Sequence, residues 1–322
     1  MIGKHKVIVQ NKRIRYEFEI IRNITILQGD SATGKTTLVE MIEEHMNRGK
    51  DSMVDVQCDK KCVVIGGSTW KGQLSEIRDS IVFIDEGNQF VLSKEFAKII
   101  QMTDNYYVIV NREGLPNLPY SVTEIYGIRN SGKFGNLKQT YQYFYKLYNY
   151  ELAEGIIEPN LIITEDSNSG YQFFKNICDE KGLRCYSANG KSNIASLISN
   201  ISDNEVSLVV VDGAAFGSEI NKIKILISKK KNIKLYLPES FEWIILSSGV
   251  INDSEIKNII NRTYNYVESS DYFSWEQFFY KILVEKTNGT YLAYSKSKIN
   301  DSYLHGKARE AILKIIDKVN VK

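Results

Sequence analysis

One stretch of eight residues constrains the fold of this chain more than any other feature. Gly29-Asp-Ser-Ala-Thr-Gly-Lys-Thr36 matches the pattern GxxxxGK[ST]. The apolar, β-branched run 23–28 precedes it, and Leu38, Met41 and Ile42 follow it at helical spacing. The pattern has structural meaning when it follows a buried strand and opens a helix, and both conditions are met here. The sequence therefore predicts a strand, a glycine-rich loop and a helix in succession.

Such a loop binds the phosphates of a nucleotide. Its backbone N–H groups point at the phosphates, and the helix that follows adds the positive end of its dipole. We expect Lys35 to reach the β- and γ-phosphates and the Thr36 hydroxyl to bind Mg²⁺. The residues expected to contact ATP are Gly29, Asp30, Ser31, Ala32, Thr33, Gly34, Lys35, Thr36 and Thr37. GTP stays a formal alternative, although no NKxD-type guanine motif occurs.

A second motif, Ser80-Ile-Val-Phe-Ile-Asp-Glu86, consists of an apolar run that ends in two acids, as a Walker B strand does. We expect Asp85 to hold Mg²⁺ and Glu86 to polarise the water that attacks the γ-phosphate. A helix cap or a surface acid would be the preferred interpretation of this pair alone. Downstream of a phosphate loop, the catalytic interpretation is preferred.

A third run, 106–112, is strand-like and ends in Asn111 and Arg112. Asn111 is the candidate sensor of the γ-phosphate or of the attacking water. Arg112 and Arg129 are candidates for contact with charge in the transition state, and a solvated surface position is at least as good an interpretation of each. Near the start of the chain, 6–9 and 14–20 predict two strands of a hairpin.

The hairpin, the phosphate loop and the Walker B strand together resemble the ATPases of the ABC/AAA superfamily over roughly residues 4 to 130. This resemblance implies ATP binding and hydrolysis with Mg²⁺. No LSGGQ-type signature lies between the two motifs, which argues against dimerisation across shared ATP in the ABC manner.

The second half of the chain alternates predicted strands with predicted helices, and this alternation favours a parallel sheet. The predicted strands are 161–164, 183–186, 206–211 and 233–237, and the predicted helices are 171–181 and 194–201. Glu165 ends the first of these strands and Asp212 ends the third. Open α/β sheets place their sites at the carboxyl ends of strands, so both acids are candidate site residues.

This half resembles the TOPRIM domain of topoisomerases, primases and nucleases of the overcoming-lysogenization-defect type. In that family a glutamate and an Asp-x-Asp motif hold Mg²⁺ for phosphodiester chemistry, and Glu165 and Asp212 match the glutamate and the first aspartate. Ala214 stands where the second aspartate is expected. Conceivable replacement ligands, each also interpretable as a solvated surface acid, are Asp166, Glu219, Glu239 and Glu242.

The architecture as a whole is similar to that of nucleases and related proteins of prokaryotic anti-phage defence or mobile elements. The resemblance implies an ATPase that controls Mg²⁺-dependent cleavage of DNA or RNA, with Glu165 and Asp212 catalytic. The alternative is an ATP-dependent switch that acts on a protein partner, in which the TOPRIM-like domain is inert because of Ala214. A phosphoryl-transfer kinase is a third hypothesis, which Glu86 argues against.

The expected fold class is α/β, with a P-loop parallel sheet carrying an N-terminal hairpin, a second α/β domain and a helical cap. The expected segments are 1–135 for the ATPase, 136–158 for an aromatic-rich connector, 159–240 for the TOPRIM-like domain and 241–322 for a helical extension. The connector holds six aromatics in 141–150, next to Lys138 and Lys146. Buried packing is preferred for them over stacking on nucleic-acid bases.

Composition adds few constraints. A net charge of +2 over 322 residues gives no overall attraction to nucleic acid, and no apolar run is long enough to span a bilayer. We expect a cytoplasmic homo-oligomer. The lysines that concentrate after Asp212 suit either a phosphate backbone or protection of a sheet edge. The four cysteines, which include the pair Cys58 and Cys62, are expected to be reduced structural thiols rather than zinc ligands.

Overall fold

A computed structural model of the chain describes residues 1–30, 33–130, 139–148, 157–316 and 319–320. Its fold class is mixed α/β. The chain divides into two compact units. The first consists of Met1–Asn149 with Thr263–Ser274, and the second of Tyr150–Arg262 with Trp275–Lys322.

The first unit contains a sheet of nine strands within the described residues. In chain order these are β1 (His5–Gln10), β2 (Ile14–Ile20), β3 (Ile24–Leu27), β4 (Asp55–Gln57), β5 (Lys61–Val64), β6 (Ser80–Ile84), β7 (Tyr106–Val110), β8 (Ile125–Asn130) and β9 (Thr140–Lys146). Their order across the sheet is β4-β1-β2-β9-β8-β3-β7-β6-β5.

Five consecutive strands at one end of this order are parallel, as the sequence predicted. Strands β8, β3, β7, β6 and β5 run in the same direction. Every residue of β3, β6 and β7 is buried, because strands in a parallel sheet are covered on both faces. Each therefore appears in the sequence as a mostly apolar run.

The predicted hairpin of β1 and β2 is present, and its antiparallel register pairs His5 with Ile20. It is not a separate element, however, because β9 joins it to the parallel strands. Strand β9 is parallel to β2 and antiparallel to β8. The sheet is therefore mixed rather than parallel, and part of the predicted aromatic connector is one of its strands. Lys138 and Tyr150 of that tract lie outside the described residues.

Three helices accompany this sheet in the described part of the first unit: α1 (Lys35–Arg48), α2 (Trp70–Ser75) and α3 (Lys94–Ile100). Helix α1 buries Leu38, Met41 and Ile42 against the core, as their spacing predicted. The residues that immediately precede it, Thr33 and Gly34, belong to the predicted phosphate loop.

The second unit has a four-stranded sheet in which all neighbours are parallel, which confirms the predicted arrangement. Its strands are β10 (Leu161–Thr164), β11 (Arg184–Ser187), β12 (Ser207–Val210) and β13 (Ile233–Tyr236), in the order β11-β10-β12-β13. The accompanying helices are α4 (Ser169–Lys181), α5 (Ile194–Asn200), α6 (Ile220–Lys229), α7 (Phe241–Ser247), α8 (Ser254–Asn261), α9 (Trp275–Thr287) and α10 (Gly306–Ile315).

Helix α6 was not predicted. Its sequence alternates isoleucine with lysine over 222–225, which is typical of a strand, yet the fully buried residues are Ile220 and Ile223, three apart. The lysines that concentrate after Asp212 therefore do not all lie along one strand. Lys222, Lys224 and Lys229 lie on this helix, Lys230 and Lys231 follow it, and Lys234 lies in β13.

Across the described residues, none of the helices combines the length and the apolar character that crossing a bilayer requires.

Candidate functional site

The first candidate site lies at one edge of the nine-stranded sheet. Strands β3, β7 and β6 are parallel neighbours, so their carboxyl ends meet at that edge. The phosphate loop follows β3, Asn111 follows β7, and Asp85 with Glu86 follows β6. The three predicted elements of the nucleotide site are thus brought to the same place by the order of the strands.

Lys35 reaches back into the loop that precedes it. Its Nζ atom donates to the carbonyl oxygens of Gly29 at 3.0 Å and Asp30 at 2.6 Å, and to the Thr33 hydroxyl at 2.9 Å. Gly29 has a φ of +117° and Gly34 a φ of +91°, conformations that favour glycine. Ser31 and Ala32, also predicted to contact the nucleotide, lie outside the described residues.

The Lys35 side chain is only 5% exposed, and burial lowers the pKa of its ammonium. The carboxylates of Glu86, Asp30 and Asp85 act in the opposite direction, whereas the Arg112 guanidinium lowers the pKa further. The charges of these four side chains therefore all influence the ionisation of Lys35. A phosphate chain placed beside it would meet a partly desolvated cation, which strengthens the attraction.

Thr36 and Asp85 are in contact, although they are far apart in the sequence. The Thr36 hydroxyl donates to Asp85 Oδ1 at 3.4 Å. A hydroxyl and a carboxylate side by side are hard oxygen ligands of the kind that Mg²⁺ takes beside nucleotide phosphates. These residues therefore fit a Mg²⁺ ion at the position that the sequence predicted for it.

Glu86 does not stand free at the end of β6. Its Oε1 atom accepts from Arg112 Nε at 2.5 Å, so the candidate catalytic acid and a candidate arginine form an ion pair. The Asn111 side-chain amide donates to the Glu113 carbonyl oxygen at 2.8 Å. Arg129 lies over the aromatic rings of Tyr143 and Tyr145, at 5.0 and 4.8 Å from their centroids.

Tyr16 of β2 contacts the predicted phosphate loop, and the sequence did not predict this contact. It is 1% exposed, and its hydroxyl donates to the Gly34 carbonyl oxygen at 2.9 Å. Burial raises the pKa of this phenol to about 12, so it stays protonated and can donate. A Cβ atom at position 34 would lie 2.8 Å from the Tyr16 hydroxyl oxygen. The hairpin thus fixes the last turn of the phosphate loop.

A cavity of about 570 Å³ borders this edge of the sheet. Glu40 and Glu43 of α1, Lys61 of β5 and Asp85 are among the residues that line it, together with apolar side chains. Its volume lies within the range of small-molecule sites.

The second candidate site lies in the second unit, where β10 and β12 are parallel neighbours. Glu165 follows β10 and Asp212 follows β12, and the backbone N–H of Asp212 donates to Glu165 Oε2 at 3.1 Å. The two predicted acids are therefore adjacent. Both line one pocket, to which the suggested replacement acids Asp166 and Glu242 also contribute. Glu219 lies 3.5 Å from the ammonium of Lys222.

The C-terminal helical region supplies groups that the sequence did not predict. Lys296 lines the same pocket and forms an ion pair with Glu276 of α9. The hydroxyl of Tyr294 donates to Glu242 Oε1 at 2.8 Å and also contacts Ser169. Glu276, Tyr294 and Lys296 are each more than 60 positions from Asp212, and no local sequence pattern relates them to it.

Burial dominates the ionisation of the acids. The pKa of Glu165 is raised to about 7, chiefly by burial. The charges of Glu276 and Asp166 contribute to this rise, whereas the backbone N–H of Asp212 and the Lys191 ammonium oppose it. Burial also raises the pKa of Asp212 well above its usual value, helped by Glu276, Glu165 and Glu242. The pocket therefore favours neutral acids, whereas metal binding requires carboxylates.

The acids do not form a grouping typical of a metal centre. Within the described ranges, no three or more His, Cys, Asp or Glu side chains are placed to hold one ion. Ala214 is 2% exposed, and its backbone N–H donates to the Glu239 carbonyl oxygen at 3.2 Å. Position 214 therefore offers a buried methyl group where the resemblance to TOPRIM domains leads us to expect a carboxylate.

A scan against protein-family models finds no match to this sequence, and a search of curated proteins finds none either.

Proposed function

We propose that the first unit binds ATP with Mg²⁺ and hydrolyses it. The observation that carries this proposal is the contact of Thr36 with Asp85 beside the buried ammonium of Lys35. Two separate segments of the chain converge there, and they contribute an ammonium, a hydroxyl and a carboxylate, which are groups that nucleotide hydrolysis uses.

Lys35 would bind the β- and γ-phosphates in place of its present oxygen partners in the loop. Thr36 and Asp85 would hold Mg²⁺, which supplies charge neutralisation on the phosphate oxygens. Glu86 would accept a proton from the attacking water, and its ion pair with Arg112 orients the carboxylate. Asn111 at the end of β7 would contact the γ-phosphate or the water.

Nucleotide binding and hydrolysis are separable by two variants and their matched controls. Lys35→Ala is expected to weaken ATP binding at least tenfold, whereas Lys50→Ala, at an exposed lysine just after α1, leaves it unchanged. Glu86→Gln is expected to retain binding and to lower turnover about 100-fold. Glu76→Gln, at an exposed glutamate of the same unit, is its control. Binding is measured by calorimetry and turnover by phosphate release. Full turnover in both Lys35→Ala and Glu86→Gln would refute the proposal.

For the second unit we propose the role that its resemblance to TOPRIM nucleases implies. This role is Mg²⁺-dependent cleavage of DNA or RNA under the control of ATP, in anti-phage defence or a mobile element. Glu165 and Asp212 would be the metal ligands. Cleavage of plasmid, linear and single-stranded substrates, with and without ATP, is the test. We expect cleavage to disappear in Glu165→Ala and to become deregulated in Lys35→Ala; undiminished cleavage in Glu165→Ala would refute the assignment.

A switch that acts on a protein partner is the second candidate function. The observation that favours it is the pocket's preference for neutral acids, together with the buried Ala214 where the second aspartate of the motif is expected. This candidate predicts ATP turnover that needs Lys35 and Glu86, with no cleavage of any nucleic acid by the wild-type protein. Cleavage that depends on Glu165 would exclude it.

A further inference from the structure

Cys58 and Cys62 form a thiol pair at an unusual point of the sheet. Cys58 follows β4 and Cys62 lies in β5, and only residues 58–60 link these two strands. Yet β4 and β5 are the first and last strands in the order across the sheet. The pair therefore lies where the two edge strands meet, and both side chains pack against the core of the first unit.

The two thiols lie against the same short stretch of backbone. The Cys62 thiol influences the ionisation of Cys58, and both side chains contact the backbone of Lys60 between them. The Lys60 N–H donates to Cys58 Sγ at 3.4 Å, and Cys62 Sγ lies 3.9 Å from the Lys60 carbonyl oxygen. All four cysteines of the chain are free thiols.

The surroundings of Cys58 favour its thiolate. The neighbouring Cys62 thiol is the largest cause of the lowered pKa of Cys58, and the Lys60 N–H acts in the same direction. Burial and the neighbouring Asp59 oppose it. The thiolate is the nucleophilic form of cysteine, and both side chains of the pair are partly exposed to solvent.

A second thiol pair in the same chain provides a comparison. In this pair, Cys185 of β11 lowers the pKa of Cys178 of α4, as Cys62 does for Cys58. These side chains are 0% and 6% exposed. The two pairs therefore share the mutual influence on ionisation and differ in access for a dissolved reagent.

We propose that Cys58 and Cys62 are a redox-active dithiol that a hydroperoxide converts into an intramolecular disulfide. The Cys58 thiolate attacks one peroxide oxygen, the O–O bond breaks, and a sulfenic acid forms with release of water or an alcohol. Cys62 then attacks that sulfur, and the sulfenic oxygen leaves as water. Two thiols and one hydrogen peroxide give one disulfide and two waters. The proposal does not depend on nucleotide hydrolysis.

The test treats the full chain with hydrogen peroxide, blocks the remaining thiols, and analyses a tryptic digest by mass spectrometry. Trypsin cleaves after Lys60 and Lys61, between the two cysteines, so the disulfide joins peptides 51–60 and 62–71. We expect this joined pair to form in wild type and to disappear after treatment with dithiothreitol. Cys178→Ser is the control, and it should form the pair at the wild-type rate.

Single substitutions distinguish the two roles. Cys62→Ser is expected to stop at a Cys58 sulfenic acid that dimedone labels, whereas Cys58→Ser should slow oxidation at this site at least tenfold. The proposal would be overturned if both thiols at 58 and 62 stayed reduced at peroxide concentrations that oxidise the urea-unfolded chain. It would also be overturned if the joined peptides contained Cys178 and Cys185 instead.

Discussion

Glu165 should make the stability of the second unit depend on pH, and replacing it by glutamine should remove the contribution of this side chain. The folded unit raises the pKa of this side chain from 4.5 to about 7, chiefly by burial. The shift of about 2.5 pH units corresponds to roughly 3 kcal/mol, because each unit is worth about 1.4 kcal/mol.

The direction of the effect follows from which state holds the proton. Below pH 4.5 Glu165 is protonated in both states, so it adds no pH dependence. Between pH 4.5 and about 7 the unfolded chain loses the proton while the folded unit keeps it. The free energy of unfolding therefore falls across this interval and levels off above it. Glutamine stays neutral and can still accept the hydrogen bond from Asp212.

Urea unfolding at several pH values measures this, once the fluorescence is restricted to the second unit. Of the three tryptophans, Trp243 and Trp275 belong to that unit, whereas Trp70 belongs to the first. In a Trp70→Phe background, Glu165→Gln should become more stable than its parent as pH rises, by up to about 3 kcal/mol near pH 8. The measurement is made with EDTA, because bound metal would favour the carboxylate.

Glu310→Gln is the matched control, since this glutamate is exposed on α10 of the same unit. Its unfolding free energy should follow that of the parent at every pH. If Glu165→Gln and its parent also gave parallel curves from pH 4.5 to 8, the burial argument for this carboxyl would be wrong. The same result would remove one of the two observations that favour a switch acting on a protein partner, namely the preference of the pocket for neutral acids.

Three further predictions concern the first unit, and urea unfolding followed by Trp70 fluorescence measures each of them. Tyr16→Phe removes the hydroxyl that donates to the Gly34 carbonyl oxygen and should lower the free energy of unfolding by about 1 kcal/mol. Gly34→Ala should lower the free energy of unfolding by more than this, because of the φ of +91° at this position and the 2.8 Å approach of the new Cβ atom to the Tyr16 hydroxyl oxygen. If Gly34→Ala lowered it by the same amount in the Tyr16→Phe background, the steric reasoning would be contradicted. Ser93→Ala removes the side-chain cap of α3 and should cost about 1 kcal/mol, whereas Ser93→Asn should largely retain it.

Local patterns were sufficient to identify most of the residues that we propose for nucleotide binding. The phosphate loop, Asp85 and Glu86 each follow a buried strand, and a few neighbouring residues specify such a strand through their apolar character. The parallel sheet of the second unit was predictable for the same reason. Helix α6 was not, because its alternating isoleucines and lysines satisfy the period of a strand as well as that of a helix.

Contacts between distant parts of the chain account for what was missed. The hairpin is continuous with the parallel strands only through β9, which follows it by more than 100 residues. Tyr16 contacts Gly34 across the same sheet. In the second pocket, Glu276 and Lys296 come from the C-terminal region, where nothing in the sequence relates them to Glu165.

The sequence by itself determined most of the segments that become strands and helices, and it determined which side chains stand at the strand ends, because local spacing and polarity control both. Tertiary structure alone decided what those side chains meet. The ion pair of Glu86 with Arg112 and the contact of Thr36 with Asp85 depend on the order of strands in the sheet. The raised pKa of Glu165 depends on burial, which arises only when separate segments pack together.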